Sequence, residues 1–308
     1  MPENAQDIIQ RLRSDPSSYE QASRRENEVW GRQASDDRIR AVREADREAA
    51  LKLRPGRNRR AFPAIARANG WRFDRGLSLA CGGGRAEREL MQRGLCKSFV
   101  GVDVSDKAIE TARAEAAKAG MDIEYRVGDL NTADLGEGLY DLVVTQNCLH
   151  HIVELEFLAD QIDRCLKPGG RLWIHDFVGE TQFQWLDKRL EMVNEVLGLL
   201  PERYRNFQLH NRVMDRVERR APGTLISPFE AIRSAEILPV FEQRFDVELR
   251  CESDTIMHLV APEGTRAAYA ESEDGVAIFE LLMLVDRLLM ESGALPPLTG
   301  QYVLRKRG

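Results

Sequence analysis

The sequence predicts an α/β protein built on an open, mainly parallel sheet. Three observations predict it. An apolar run, Leu77-Ser-Leu-Ala-Cys81, breaks into Gly82-Gly83-Gly84 and then into a helical pattern. A second apolar run, Phe99-Val-Gly-Val-Asp-Val, carries an acid at Asp103, about twenty residues beyond the glycine turn. Strand-like and helix-like segments then alternate to about residue 180. In such a sheet glycine backbone lies against a ligand at the carboxyl end of the first strand. An acid ending the second strand can accept both hydroxyls of a ribose. The pair therefore reads as a nucleoside site.

Taken in order, residues 1–65 are highly charged and helix-prone. Ser35 to Leu53 reads as one helix, halted before Pro55-Gly56. Arg43 and Arg47 stand four apart, as do Glu44 and Glu48, so charge dominates one face, as on a solvated surface. Trp30 and Phe62 are the anchors of this extension. Lys52, Arg54, Arg57, Arg59 and Arg60 form a basic cluster, read first as a solvated turn and second as a grip for an anionic acceptor such as a nucleotide sugar or phosphate. From Trp71 the α/β pattern begins. Ser105 caps a helix carrying Ile109 and Ala112, and Gly120 ends it. Ile123–Val127 is a third strand, closed by Gly128-Asp129-Leu130. Tyr140–Gln146 is a fourth, followed by Asn147-Cys-Leu-His150-His151. Leu166-Lys-Pro-Gly-Gly170 stops a helix and turns into a fifth strand, Arg171–His175. Ser227-Pro-Phe-Glu230 has the form of a capping box with proline at the first helical position, which predicts a helix starting there. The intervening residues 181–226 are an insertion whose Trp185, Leu186, Leu190, Val193, Leu197 and Leu200 recur at helical spacing. Phe245–Arg250 and Gln301–Arg305 read as strands six and seven, separated by a helix from Val276 to Met290.

Composition narrows the function. The chain of 308 residues carries a formal charge of −6, which disfavours nucleic acid as a partner. No apolar run has membrane-spanning length, and the opening Met-Pro-Glu-Asn lacks a leader pattern. Five cysteines without C-x-x-C spacing argue for reduced thiols in a cytoplasm, with neither a disulfide framework nor a structural zinc site. Cys81 reads as a small apolar residue of the turn, not a nucleophile.

The nucleoside can be narrowed further. A dinucleotide fingerprint started at Ala80 places Arg85 where its last glycine belongs, a poor fit for close packing near a pyrophosphate. The turn Ala80-x-Gly82-x-Gly84 suits a ligand without phosphates, its amino-acid tail lying across the turn, as in S-adenosylmethionine. With Asp103, Gly128-Asp129-Leu130, the Tyr140–His151 segment and the Leu166–His175 segment, the chain resembles the class I S-adenosylmethionine-dependent methyltransferases. The resemblance covers residues 70–180 by ordered motifs and 225–308 more loosely. The stretches Phe177–Trp185, Leu200–Tyr204 and Ser227–Pro239 resemble a bacterial subgroup that accompanies glycan or secondary-metabolite pathways.

The resemblance implies a Rossmann-like seven-stranded sheet of order 3-2-1-4-5-7-6, with strand seven antiparallel. It implies an N-terminal helical extension (1–65) and a methyltransferase domain (66–308), the insertion 181–226 forming a helical lid over the acceptor pocket. A helical decoration or a homodimer face is the alternative for that insertion. S-adenosyl-L-methionine is the implied cofactor, held by Ala80, Cys81, Gly82, Gly84, Asp103, Val104, Asp129, Leu130 and Gln146, with Asp129 at the adenine amino group. The family commonly has an acid where Ser78 stands and a glycine where Ala80 stands. Those departures keep open a second reading, a protein that binds the cofactor without transferring a methyl group.

Methyl transfer is an in-line displacement that gains most from alignment and dryness. A hydroxyl acceptor also needs a base. His151, His175 and Asp176 sit after strands four and five, where side chains face the transferred methyl, and are the candidate catalytic residues. His150, His210 and His258 complete the histidines. The reading is O-methylation of a small molecule, a sugar or glycan precursor or a secondary metabolite, without a metal. No clear set of carboxylate ligands stands in the chain, and no Asn/Asp-Pro-Pro-Tyr pattern points to base amino groups.

Overall fold

Apolar runs too long for simple alternation become strands covered on both faces. The computed structural model describes residues 4–53, 62–225 and 227–307. Five parallel strands, β1 (Phe73–Leu79), β2 (Cys96–Asp103), β3 (Glu124–Val127), β4 (Tyr140–Gln146) and β5 (Leu166–Phe177), lie in the order β3-β2-β1-β4-β5. Two short strands, β6 (Asn206–Phe207) and β7 (Arg212–Val213), form a separate ribbon. β8 (Phe245–Ser253) and β9 (Thr299–Lys306) complete the main sheet as β5-β9-β8, with β9 antiparallel to both neighbours. The order 3-2-1-4-5-7-6 expected from the sequence is the order found, β8 and β9 being its strands six and seven.

Side chains alternate across the pleat. Leu77, Leu79, Val100, Val102 and Val143 pack on one face with Leu155, Leu158 and Phe241. Phe99, Val144, Trp173 and Val303 pack on the other with Phe62, Leu90 and Ile109.

Thirteen helices surround this among the described residues. The N-terminal extension supplies α1 (Ala5–Ser14), α2 (Pro16–Ser35) and α3 (Asp37–Leu53). An Asn4/Asp7 capping box starts α1, and Asp15 with Pro16 starts α2. α4 (Phe62–Ala68), α5 (Arg85–Gln92), α6 (Asp106–Lys118) and α7 (Leu155–Cys165) flank the parallel strands. The insertion carries α8 (Asp187–Leu199) and α9 (Glu202–Arg205). α10 (Ile237–Phe241), α11 (Met257–Val260), α12 (Arg266–Tyr269) and α13 (Glu273–Glu291) follow. The basic cluster at Arg54, Arg57, Arg59 and Arg60 lies outside the described residues; Lys52 lies in the last turn of α3.

Two sequence expectations are corrected. No regular helix starts at Ser227. The Ser227 hydroxyl donates to Glu26 Oε2 at 2.5 Å, and the Phe229 N–H donates to the same oxygen at 3.3 Å. Glu230 faces His150 instead of reaching back to Ser227. With both halves of the box engaged elsewhere, residues 227–233 form turns and α10 begins at Ile237. The Lys167–Gly170 segment does not precede β5 but lies within it, and the β4–β5 register shifts between Tyr140 and Leu142.

The insertion packs as a small second core. Val193, Leu197, Leu200 and Tyr204 bury against Met257, Val260, Tyr269 and Phe279, with Ala49 and Leu53 of α3 closing the cluster. Arg189 within it is fully buried; it donates to Glu180 at 3.0 Å, to the Pro296 carbonyl at 3.0 Å and to the Thr255 carbonyl.

Candidate functional site

The glycine turn after β1 is held by three left-handed residues, Ala80 (φ +48°), Gly82 (φ +53°) and Gly84 (φ +70°). Gly84 is required by packing as well, since a Cβ there would meet Tyr125 Oη at 2.2 Å. A Cβ on Gly82 would meet nothing within 4 Å, so that position looks into open space. Asp103 ends β2 below it. Its Oδ2 accepts the Gly82 N–H at 2.8 Å and its Oδ1 the Ser105 N–H at 2.9 Å. Burial raises its pKa, against the two backbone hydrogen bonds.

A cavity of about 400 Å³ opens over this turn. Ala80, Gly82, Asp103, Val104, Asp129 and Leu130 line it, together with Asn147 and Cys148. Cys81 and Gly84 belong to the turn but do not line this cavity. The Cys81 sulfur packs over Gly101, and burial pushes its thiol pKa far up, as it does for Cys148, so neither is a ready nucleophile. Gln146 lines a second, larger cavity of about 910 Å³. The two cavities share a wall of Trp30, Gly82, Asn147 and His151, with Arg43 and Arg47 at its edge.

The N-terminal extension roofs the smaller cavity. Ser23, Glu26 and Trp30 of α2 and Arg40, Arg43 and Arg47 of α3 line it. Tyr19 donates its hydroxyl to Asp129 Oδ2 at 2.7 Å, while Asp129 Oδ1 accepts from Asn131 N–H at 2.9 Å. Asp46, 2% exposed, ties α3 to the far end of the chain by accepting the N–H groups of Gly264 and Arg266. In the larger cavity the insertion supplies Phe183, whereas α2 and α3 supply Trp30, Arg43, Arg47, Ala50 and Leu51. The roof the sequence places in the insertion is thus built largely from the extension.

The candidate catalytic residues separate. Asp176 is 1% exposed and spent on structure: it accepts the N–H groups of Cys148, Leu149 and Phe177 and the His150 Nδ1–H at 2.5 Å. It does not reach either cavity as a base. His150 stands between Asp176 and Glu230, its Nε2 3.5 Å from Glu230 Oε1. Burial opposes its charge, but the two carboxylates outweigh burial and raise its pKa to about 10. His175 lines the larger cavity, as does His258, which burial, aided by Arg266 against Asp254, holds below the usual imidazole value. His151 lines both cavities, its ring 5.0 Å from Trp30 in an edge-on contact and its Nδ1 3.1 Å from Glu26 Oε1.

Glu26 is the residue the sequence did not disclose. It is 4% exposed and accepts from Trp30 Nε1–H at 2.7 Å as well as from Ser227 and Phe229. Burial raises its pKa, but these bonds and His151 prevail, so it is held as a carboxylate. The only earlier sign was Trp30, four residues on along α2.

Among the described residues, His150, His151 and Glu230 place potential metal-ligand atoms within 4.8 Å of one another. In the structure His150 itself stands between two carboxylates, Asp176 and Glu230, which raise its pKa, and a cation bound there would have to displace that proton.

The sheet order, with a glycine turn after β1 and an acid ending β2, is that of a Rossmann-like methyltransferase fold, and residues 77–174 match the family model described as a methyltransferase domain. Over 99 residues the chain is 31% identical to a ubiquinone biosynthesis O-methyltransferase of Chelativorans sp. (strain BNC1), a match covering 32% of this chain and 38% of that protein. Over 127 residues it is 27% identical to the ubiquinone biosynthesis O-methyltransferase of Idiomarina loihiensis, covering 41% and 51%. The chain therefore spans about half or less of these relatives. It also resembles the solved phosphoethanolamine N-methyltransferase 2 of Haemonchus contortus in complex with S-adenosyl-L-methionine, at TM-score 0.47 and 16% identity over 77% of this chain and 50% of that one.

Proposed function

We propose that the chain catalyses O-methylation of a small-molecule acceptor with S-adenosyl-L-methionine, the acceptor being a sugar or glycan precursor or a secondary metabolite. The observation that carries this reading is His151, whose imidazole lines the wall between a nucleoside-sized cavity and a larger, mixed apolar and polar one, with Glu26 behind it.

The residues present suit that cofactor. Asp103 keeps one lone pair on each oxygen beyond its backbone bonds, enough for two ribose hydroxyls. Gly82 leaves open space for close approach, and Val104, Leu130 and Ile152 offer apolar walls to a purine ring. Asp129 is the acid at the adenine end, already oriented by Tyr19. Bound there, the cofactor supplies an electrophilic methyl group. The chain's work is then to hold an acceptor in the larger cavity, exclude water, and take a proton. Trp173, Phe177 and Phe183 give that cavity dry walls, and His175, Gln146 and His258 give it polar contacts. His151 is the base, with the Glu26 carboxylate 3.1 Å from its Nδ1 stabilising the protonated form as the hydroxyl loses its proton.

The test is label transfer from methyl-labelled S-adenosylmethionine to a panel of hydroxylated sugars and phenolic metabolites. With an acceptor in hand, His151→Ala should lower kcat by about 10²-fold or more while leaving cofactor affinity unchanged, and remove the acid limb of the pH–rate profile. Glu26→Gln should lower kcat in the same direction. Wild-type turnover in both variants would remove His151 as the base. Cofactor binding with no transfer to any acceptor would instead favour a non-methylating role.

A further inference from the structure

The acid that the family resemblance places on β1 is absent from β1, where Ser78 stands, 3% exposed. The structure supplies a carboxyl group from another direction. Glu87, in the first turn of α5, is 0% exposed and lies against Ser78, directly behind the glycine turn. Neither of its carboxyl oxygens has a hydrogen-bond partner of ordinary geometry. A buried carboxyl group in that condition is costly to ionise. Burial raises its pKa to about 7, and Asp103 on β2 adds to the effect. Its own backbone N–H, the Ser78 hydroxyl and Arg88 act the other way. Cys81 in the turn and Tyr125 on β3 also feel its charge. Nothing in the proposed transfer step uses this group.

We propose that Glu87 is the positioning carboxylate of the cofactor turn, carried on α5 instead of β1, and that it releases its proton to solvent when a cationic nucleoside settles over Gly82. This rests on reading the smaller cavity as an S-adenosylmethionine site. That ligand carries a sulfonium, an ammonium and a carboxylate, a net positive charge; S-adenosylhomocysteine lacks the sulfonium. A cation over the turn stabilises the anion behind it, and the first turn of α5 favours an anion in the same sense. The carboxyl O–H bond breaks, the electron pair stays on Glu87, and the proton goes to the buffer.

The experiment is calorimetric titration of the full chain with S-adenosylmethionine and S-adenosylhomocysteine, between pH 6 and pH 8, in buffers of different ionisation enthalpy. Near pH 7 the sulfonium ligand should release a substantial fraction of a proton, and its affinity should rise with pH, by about tenfold for each unit that binding lowers the pKa. The neutral product should release less. Glu87→Gln should abolish the release and flatten the profile, while Glu87→Asp, which keeps a carboxylate, should retain both. Ser78→Asp combined with Glu87→Gln should restore tight binding across the range, because the acid is back on β1. Binding without proton release, or release unchanged in Glu87→Gln and so owed to Asp103, would overturn this inference alone. Absence of any S-adenosylmethionine binding by the folded chain would overturn the cofactor reading and this inference with it.

Discussion

Asp103→Ala removes a side chain that is 8% exposed and already accepts two backbone hydrogen bonds, from Gly82 at 2.8 Å and Ser105 at 2.9 Å. Each carboxylate oxygen keeps a lone pair directed away from those donors and toward the cavity, one for each ribose hydroxyl. Hydrogen bonds to a charged group contribute about 1.5–3 kcal/mol each, so two of them set a ceiling of about 3–6 kcal/mol. The emptied site borders a cavity, and water entering it will rehydrate the hydroxyls and both N–H groups. The loss should therefore fall at the lower end, about 3 kcal/mol, or roughly a hundredfold in dissociation constant. Asp103→Asn keeps the shape but offers one oxygen, and its amide nitrogen must face either an N–H of the turn or a ribose hydroxyl. Its loss should be smaller, about tenfold. Calorimetric titration with S-adenosylmethionine and S-adenosylhomocysteine reads both numbers, with a thermal melt to show that each variant is folded. The two ligands share the ribose, so both should weaken in parallel. Unchanged affinity in a folded Asp103→Ala protein would refute the assignment of this cavity to a nucleoside.

Three further expectations can be checked alongside. Transfer by alignment and a protein base requires no divalent ion, so activity should survive dialysis against a strong chelator; loss that zinc or magnesium restores would mean that His150, His151 and Glu230 hold a metal. The pKa of His150, raised to about 10, makes its stabilisation complete below the ordinary imidazole value of about 6.5 and lost as pH climbs through 10. Urea denaturation should thus show stability declining between those limits in the wild type and less steeply in His150→Gln; identical slopes would show that Asp176 and Glu230 do not hold the proton there. Ala80 occupies left-handed backbone at φ +48°, a conformation that disfavours a residue with a Cβ by about 1–2 kcal/mol. Ala80→Gly, after the entropy a glycine adds to the unfolded chain, should raise stability by up to about 1 kcal/mol, and a destabilised variant would show that the Ala80 methyl is needed for packing.

What the sequence disclosed and what it hid divide along physical lines. The strands and the cofactor turn were legible because their signals are local: an apolar run, left-handed positions at Gly82 and Gly84, an acid ending β2. Ser105 and Gly120 punctuate α6 by the same local chemistry. Asp176 was misleading for the opposite reason. An acid beside a histidine at a strand end looks available, and only the fold shows that the backbone of residues 148 and 149 consumes it. The Ser227 box failed because a competitor 201 positions away, Glu26, takes its hydroxyl. Glu26 itself, like Tyr19 and Asp46, sits on charged helices whose pattern reads as solvated surface, and their partners lie over a hundred residues distant. Glu87 was hidden differently: as one more acid in the first turn of a charged helix, it gives no outward sign that its environment is dry.

The docking of α2 and α3 has a consequence for how the chain reaches this state. Glu26 is synthesised 201 residues before Ser227, and Asp46 218 residues before Gly264, yet each is buried against that distant partner. A nascent chain can first set Ile8, Ile9 and Leu12 against Val153, but their cover is complete only when Phe229 and Ile232 have emerged. Closing such long loops is slow, and an apolar helix face left uncovered invites association meanwhile. Translation cut short between residues 180 and 225 would give a chain whose sheet can begin to form but whose roof keeps only early ties such as Tyr19 to Asp129, without those to Ser227 and Gly264. In this protein a truncated product is better described as an open vessel than as a weaker enzyme.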